Sequence, residues 1–287
     1  MLRTALITGS TCALLLAGAS PLSADVVETR ELDESVAVTA GRPLVVIVKN
    51  ITGSVHVTEH DRDLVEMHAT ETIRGDLQAD IARARAELTL KTESEPGRVA
   101  FRVRRVGSDD GDSSRVNGGW GDDYSIAYDI EVRVPRGATL DLSTVNDGDV
   151  TAENVTGDFA VTNVNGEIHL TGLTGSGEIR TVNGNVEASF ARPPDDMTSF
   201  HTVNGDLDVT FPNELSANLE FKTMNGDVFT DFEVETLTQP ATVERTRNGG
   251  RPVMRMNRNS AFRVRSGGET HSFNTLNGDI YVRKATR

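Results

Sequence analysis

From residue 124 to the end, apolar and polar residues alternate in short runs, and each run is cut by a similar phrase. Phe200 and Thr202, or Leu219, Phe221 and Thr223, alternate with polar residues before the cut, and Leu207, Val209 and Phe211, or Ile280 and Val282, alternate after it. A period of two marks strands with one buried face. The cuts are Thr144–Val150, Asn163–Ile168, Thr181–Val186, Thr202–Leu207, Thr223–Val228 and Thr275–Ile280, variants of T-x-N-G-[DEN]-[VIL]. Asn-Gly is a strong turn signal because both residues tolerate positive φ. Gly148, Gly166 and Gly184 are 18 apart, and Gly205 and Gly226 continue at steps of 21. Weaker turns, Asn154–Gly157 and Gly172–Gly175, fall half-way between them. One repeat is therefore two short strands and two turns, which cannot bury its own apolar face and must stack on copies of itself. A β-solenoid with corners piled in a column and an up-and-down meander both fit. The near-constant spacing of near-identical corners favours the solenoid, with Asn146, Asn165, Asn183, Asn204, Asn225 and Asn277 as an internal amide ladder and Gly148, Gly166, Gly184, Gly205, Gly226 and Gly278 beside them.

The pattern before residue 124 is less regular. Leu44–Val48 reads as a strand, Asn50–Val57 as a degenerate first coil, and Leu64–Thr72 as another strand. Leu77, Ile81, Ala84 and Leu88 fall at helical spacing, which predicts a short helix over 77–88. Leu88–Glu93 and Val99–Val106 flank Glu95-Pro96-Gly97 as a hairpin. Residues 107–123 are rich in Gly and Asp and read as a loop; Phe232–Ser272 interrupts the array as an irregular excursion or extra hairpin, after which Phe273–Val282 rejoins as the last coil. The expected organisation is a segment at 1–24 that is removed, an N-terminal cap of strands, one short helix and a loop over 25–123, and an all-β solenoid of 18–21-residue repeats over 124–287 with an insertion at about 232–272.

The strand Tyr124–Val134, the Val134-Pro135-Arg136-Gly137 step and the run of Asn-Gly phrases resemble a bacterial adhesin-like family of β-strand repeat proteins, a domain of unknown function. The resemblance covers about residues 40 to 285 and implies an extracytoplasmic β-solenoid; it carries over no catalytic residues. The chain departs from the family pattern at Asp147, an extra residue in the first turn, and in the insertion between Asp231 and His271.

Met1-Leu2-Arg3 and the apolar stretch Thr4–Ala19 read as a secretory signal peptide, with small residues for cleavage after Ala19 or Ala24. The run is shorter than a bilayer span and is broken by Gly9 and Ser10. Cys12, the one cysteine, lies within it, so the mature chain is expected to have no disulfide or thiolate chemistry. The formal charge of −14 disfavours nucleic acid and anionic lipid. No later apolar run approaches transmembrane length, so a soluble mature form is expected.

Candidate chemistry is sparse. If the corners stack, Asp149, Glu167, Asp206, Asp227 and Asp279 line one edge, where oxygen ligands could hold calcium. Asn185 breaks that series and the glycine-rich calcium phrase is absent, so these read as turn residues facing water and no metal or other cofactor is expected. His56, His60 and His68 lack a metal-binding spacing on strands, and no G-x-S-x-G elbow occurs. Tyr124 and Tyr128 share the parity of Ile126 and Ile130 and should face the core, which leaves Trp120 as the one candidate contact for a sugar or protein. The favoured function is a non-enzymatic secreted or periplasmic scaffold or adhesin-like surface, with an envelope protein or polysaccharide as partner and self-association through terminal coils. The other readings are a polysaccharide-active β-helix enzyme and an envelope-stress sensor subunit.

Overall fold

The computed structural model describes residues 25–106, 124–237, 244–248, 251–256 and 259–286. The alternation seen in the sequence is an inside–outside alternation in space: in the strand Leu207–Phe211, Leu207, Val209 and Phe211 are buried while Asp208 and Thr210 are not. The chain is nearly all β, 63% strand, and the described residues hold one helix and two large sheets that do not close into a barrel. The twelve-stranded sheet runs in the order β1 (Val26–Ala37), β4 (Leu64–Gly75), β7 (Tyr124–Pro135), β3 (Val55–His60), β9 (Val150–Glu153), β11 (Ile168–Leu173), β13 (Val186–Phe190), β15 (Leu207–Phe211), β23 (Ile280–Lys284), β17 (Val228–Thr230), β20 (Arg251–Met256), β19 (Glu244–Asn248). The eleven-stranded sheet runs β18 (Val234–Thr236), β21 (Asn259–Val264), β16 (Ala217–Asn225), β22 (Thr270–Asn277), β14 (Thr198–Asn204), β12 (Gly177–Arg180), β10 (Phe159–Thr162), β8 (Thr139–Ser143), β2 (Val45–Lys49), β6 (Arg98–Arg105), β5 (Leu88–Glu95).

Each Asn-Gly phrase carries the chain from a strand of the smaller sheet to a strand of the larger one, as from β14 to β15. Equivalent strands pair in parallel: Val150 with Ile168, Ile168 with Val186, and Val186 with Leu207. This is a β-solenoid-like arrangement, in which one strand from each sheet and the corner between them make a rung. A meander would require antiparallel neighbours here.

The order of the rungs departs from the sequence reading, because β22 and β23 do not end the stack. They lie between β14–β15 and β16–β17, so Phe200 pairs with Phe273 and Phe273 with Phe221. The excursion after β17 makes this possible, because β20 adds antiparallel to β17 and β21 adds antiparallel to β16, closing that end of both sheets.

The core lies between the sheets. Phe200, Phe273 and Phe221 stack along the axis with centroids 5.0 and 5.2 Å apart, and Phe190 stacks on Phe211 at 4.9 Å. At the other end α1 (Gln78–Glu87) packs on the sheet through Ile81 and Ala84; Leu77 and Leu88 lie outside the helix, Leu77 in water and Leu88 in β5. The helix is anchored by Glu71, 1% exposed, which accepts hydrogen bonds from Arg30 of β1, Arg85 of α1 and the Tyr128 hydroxyl of β7. Three partners are what a buried carboxylate requires, since an unpaired one would cost several kcal/mol. Tyr124 and Tyr128 both face inward.

His271, 1% exposed, stacks on Phe211 and has Nδ1 3.0 Å from the Thr198 hydroxyl. Burial pushes its pKa down to about 4. Between about pH 6.5 and 4 the unfolded chain then holds a proton at this site that the folded chain lacks, so stability falls as pH drops through that window and is flat above it. The expected loss is about 3 kcal/mol across the window. His271→Phe should flatten that limb in pH-dependent urea melts, and an unchanged limb would remove His271 as its source.

Candidate binding faces and the stacked corners

The corners are stacked in register, and each position of the recurring phrase reaches the neighbouring rung. The threonine points inward and donates to a glycine carbonyl: Thr202 to Gly184, Thr275 to Gly205, and Thr223 to Gly278, at 3.0 to 3.3 Å. Asn163 stands in the threonine's place in its phrase and donates to Gly148. The next asparagine forms an amide ladder, Asn165 to Asn146, Asn183 to Asn165, Asn204 to Asn183, Asn277 to Asn204 and Asn225 to Asn277, at 2.7 to 3.2 Å. All six asparagines are in one line, with Asn277 between Asn204 and Asn225. After the glycine, the side-chain oxygen accepts a backbone N–H from the next rung: Asp149 from Glu167, Asn185 from Asp206, Asp206 from Asp279 and Asp279 from Asp227. One lone pair of each such carboxylate or amide is thereby engaged within the stack. Asn185 fits because its amide oxygen serves as well as a carboxylate.

The glycines answer to two constraints, of which positive φ was the one expected. None of the six ladder asparagines has positive φ; Gly166, Gly205 and Gly278 do, at 154° to 157°, whereas Gly148, Gly184 and Gly226 do not. What excludes a side chain at all six is proximity. A Cβ on Gly184 would lie 2.0 Å from the Gly166 carbonyl oxygen, on Gly205 2.1 Å from that of Gly184, and on Gly278 1.9 Å from that of Gly205. Gly148, Gly166 and Gly226 meet the backbone of Gly53, Gly148 and Gly278 in the same way. The extra residue of the first turn, Asp147, takes the left-handed conformation at φ 52°.

The outer face of the twelve-stranded sheet carries a second row in register. It reads Asp33, His68, Glu131, His56, Thr151, His169, Glu187, Asp208, Tyr281, Phe229. Imidazoles alternate with carboxylates: His68 binds Asp33 at 2.8 Å and Glu31 at 3.1 Å, and His169 lies 2.9 Å from Glu167 and 3.4 Å from Glu187. The hydrogen bond to Asp33, aided by the charges of Asp33, Glu31 and Glu131, holds the His68 pKa above its ordinary value. His68, Glu131, Arg133, Glu66, Ser35 and Asp33 border an open groove of about 530 Å³. His56 meets the Thr151 hydroxyl at 2.7 Å, and His60 accepts the Arg62 N–H through Nδ1. Among the described residues no group of three or more His, Asp or Glu is placed to hold a metal ion.

At the far end of this row Phe229 and Tyr281 stack at 5.0 Å, with Arg283 over Tyr281 and paired to Asp208. The sequence reading missed this pair. Both residues stand three after the glycine of their phrase, so aligning the repeats would have shown two aromatics at one position. Their contact also depends on β23 lying beside β17, which the order of the chain conceals. Trp120 lies outside the described residues.

The opposite outer face differs in sign. Across the smaller sheet, Lys91, Arg102, Lys49, Ser143, Thr162, Arg180, His201, Asn274 and Lys222 are in register over nine consecutive strands, and none is a carboxylate. Burial, and then the charge of Arg180, lower the His201 pKa. Acids occupy the row beside it, where Asp141 pairs with Lys49 at 2.5 Å and Glu178 with Arg180.

Residues 45–260 match the model of the Toastrack DUF4097 family. No curated protein matches the chain. Similar solved structures include a candidate cell adhesion protein from Clostridium sporogenes, 10% identical, covering 90% of this chain and 100% of that one at a TM-score of 0.43. A candidate adhesin from Bacteroides fragilis is 9% identical, with coverage of 89% and 97% and a TM-score of 0.27. A candidate lipid-binding protein from Parabacteroides distasonis is 11% identical, with coverage of 91% and 97% and a TM-score of 0.22.

Close approach and left-handed φ make different demands at Gly184. If approach governs, Gly184→Ala should destabilise by about 3 kcal/mol, as overpacking against fixed backbone does, and Gly205→Val by at least as much. Chemical denaturation measures both; a Gly184→Ala chain as stable as the parent would refute the packing account.

Proposed function

The chain belongs to the Toastrack DUF4097 family, and from that premise we propose a non-enzymatic, secreted or periplasmic repeat protein that serves the cell envelope as a scaffold or adhesin-like binding surface. Its residues 1–24 act as the export signal, residues 25–123 cap the column, and residues 124–287 supply the 18–21-residue coils. The observation that carries this reading is the in-register row on the outer face of the larger sheet, which ends in the Phe229–Tyr281 stack. Side chains set one strand spacing apart, about 4.8 Å, suit an extended partner, which can touch successive rungs in turn. The row offers carboxylates, imidazoles and an aromatic end, a polar surface with one apolar anchor, as recognition patches commonly have. Rigid backing from the stacked corners keeps the row pre-organised, which lowers the entropy lost on binding. No helix among the described residues is long and apolar enough to cross a membrane.

Two measurements test this. Cell fractionation should find the protein outside the cytoplasm, and removing residues 1–24 should retain it inside. Retention on isolated envelope material should fall about tenfold with Tyr281→Ala, a loss of ~1.4 kcal/mol, while the melting temperature moves little. Release of reducing ends from envelope polysaccharide by the purified chain would instead make it an enzyme.

A further inference from the structure

At the second position of the recurring phrase the backbone alone takes part in the corner, yet the side chain is apolar in every copy. Val145, Val164, Val182, Val203, Met224 and Leu276 occupy it. The structure lines them up outside the stack. The N–H of Asn165 binds the Val145 carbonyl, that of Asn183 binds Val164 and that of Asn204 binds Val182. Pairing of Thr202 with Thr275 and Asn204 with Asn277 sets Val203 beside Leu276, and the same pairs from the next rung set Met224 on its other side. The result is one aliphatic ridge over six rungs. Val182 is 39% exposed, Leu276 40% and Met224 60%, and Val145, Val164 and Val203 are half-buried. Single exposed aliphatics are ordinary, but a continuous ridge of them marks a contact surface.

The flanks of the ridge identify what covers it. Two residues before it lie Arg180, His201, Asn274 and Lys222, part of the carboxylate-free row. Three residues after it lie Glu167, Asn185, Asp206, Asp279 and Asp227, at the corner. The ridge is therefore bordered on one side by donors without a carboxylate, with cations at Arg180 and Lys222, and on the other by acids at Glu167, Asp206, Asp279 and Asp227, with Asn185 between them. Such a surface is complementary to itself. Two copies meeting face to face are related by a two-fold axis in the plane of contact. An axis across the ridge would set cation against cation and acid against acid. An axis along the ridge sets the cationic side of each rung over the acidic side of the same rung in the other copy.

We propose that the protein self-associates through this ridge as a parallel two-fold dimer, Val203 on Val203, Leu276 on Leu276 and Met224 on Met224, with the Arg180–Lys222 side of each copy over the Asp206–Asp227 corner of the other. The contact is distinct from association through terminal coils and does not depend on the envelope-binding reading. Six rungs span roughly 25–30 Å, and a strip that long and ~20 Å wide falls short of the ~800 Å² per partner of a standard interface. The association is accordingly weak and reversible, with its apolar part on the ridge and its direction set by charge.

Because an axis along the ridge puts each residue opposite its own copy, single cysteines report the geometry directly. In the full chain carrying Cys12→Ser, Val182→Cys, Leu276→Cys and Met224→Cys should each form a disulfide-linked dimer under mild oxidation. Thr151→Cys, on the outer face of the other sheet, should remain monomeric. Met224→Asp should weaken the dimer at least tenfold by sedimentation equilibrium without lowering the melting temperature, and rising salt should weaken the parent dimer. Cross-linking at only one ridge position would mean that the ridges cross and would overturn the parallel axis. No cross-linking above the Thr151→Cys control, with a monomer mass at high concentration, would overturn the dimer. A monomer that sediments with vesicles of anionic lipid would give the ridge to a membrane surface instead.

Discussion

The structure depends on hydrogen bonds that run along its axis at the Asn-Gly corners. A sheet already joins neighbouring strands through backbone ladders, but short strands such as Phe159–Thr162 leave much of each rung in turns, where ladders stop. The corner continues the pairing with side chains: threonine to glycine carbonyl, asparagine to asparagine, aspartate to the next backbone N–H. A buried or half-buried polar group left without a partner is costly, so satisfying all of them in one repeated geometry holds neighbouring rungs in register. Glycine is the one residue that lets the backbones come close enough for this.

That local rule permits any rung to sit on any other, since the phrases are nearly alike. The chain exploits this when it places β22 and β23 between β14–β15 and β16–β17. Rungs 52 and 73 residues apart in sequence become neighbours with the same amide bond as rungs 18 apart. The cost is entropic, because long loops must close before those contacts form. The excursion through β18 to β21 spans that distance and also covers the last parallel strands, whose exposed edges would otherwise invite pairing with other chains.

The two sheets turn different chemistry outward. Carboxylates and imidazoles share the face of the larger sheet, and His68 there is held above its ordinary pKa by acids; His201, on the face of the smaller sheet, is lowered by burial and by Arg180. The outer side chains of the two sheets are farther apart than the ~10 Å between stacked sheets, and the salt over each face screens a partner there from the charges of the other face. Each face can therefore present its own field to a partner, and the formal charge of −14 describes neither of them.

Much of the fold was legible because its signals are local. Alternation marked the strands, helical spacing found the helix near Gln78–Glu87, and Glu95-Pro96-Gly97 marked the β5–β6 hairpin. The phrase likewise showed that Asn146, Asn165, Asn183, Asn204, Asn225 and Asn277 are equivalent. Their order along the column was not legible, because equivalence of phrases makes alternative stackings alike in local energy and only the closure of the whole chain chooses among them. The stacking of Phe229 on Tyr281 follows from that choice. Positive φ, a property of one residue, was legible and holds at Gly166, Gly205 and Gly278; the close approach at all six glycines was hidden, because a carbonyl about 2 Å from an absent Cβ belongs to a neighbour that the sequence does not place. The sequence by itself determined which residues form rungs and corners, since those are short-range preferences of the backbone. The tertiary structure alone decided which rungs touch, which faces carry which charge and where the aliphatic ridge runs, since these depend on contacts between distant segments.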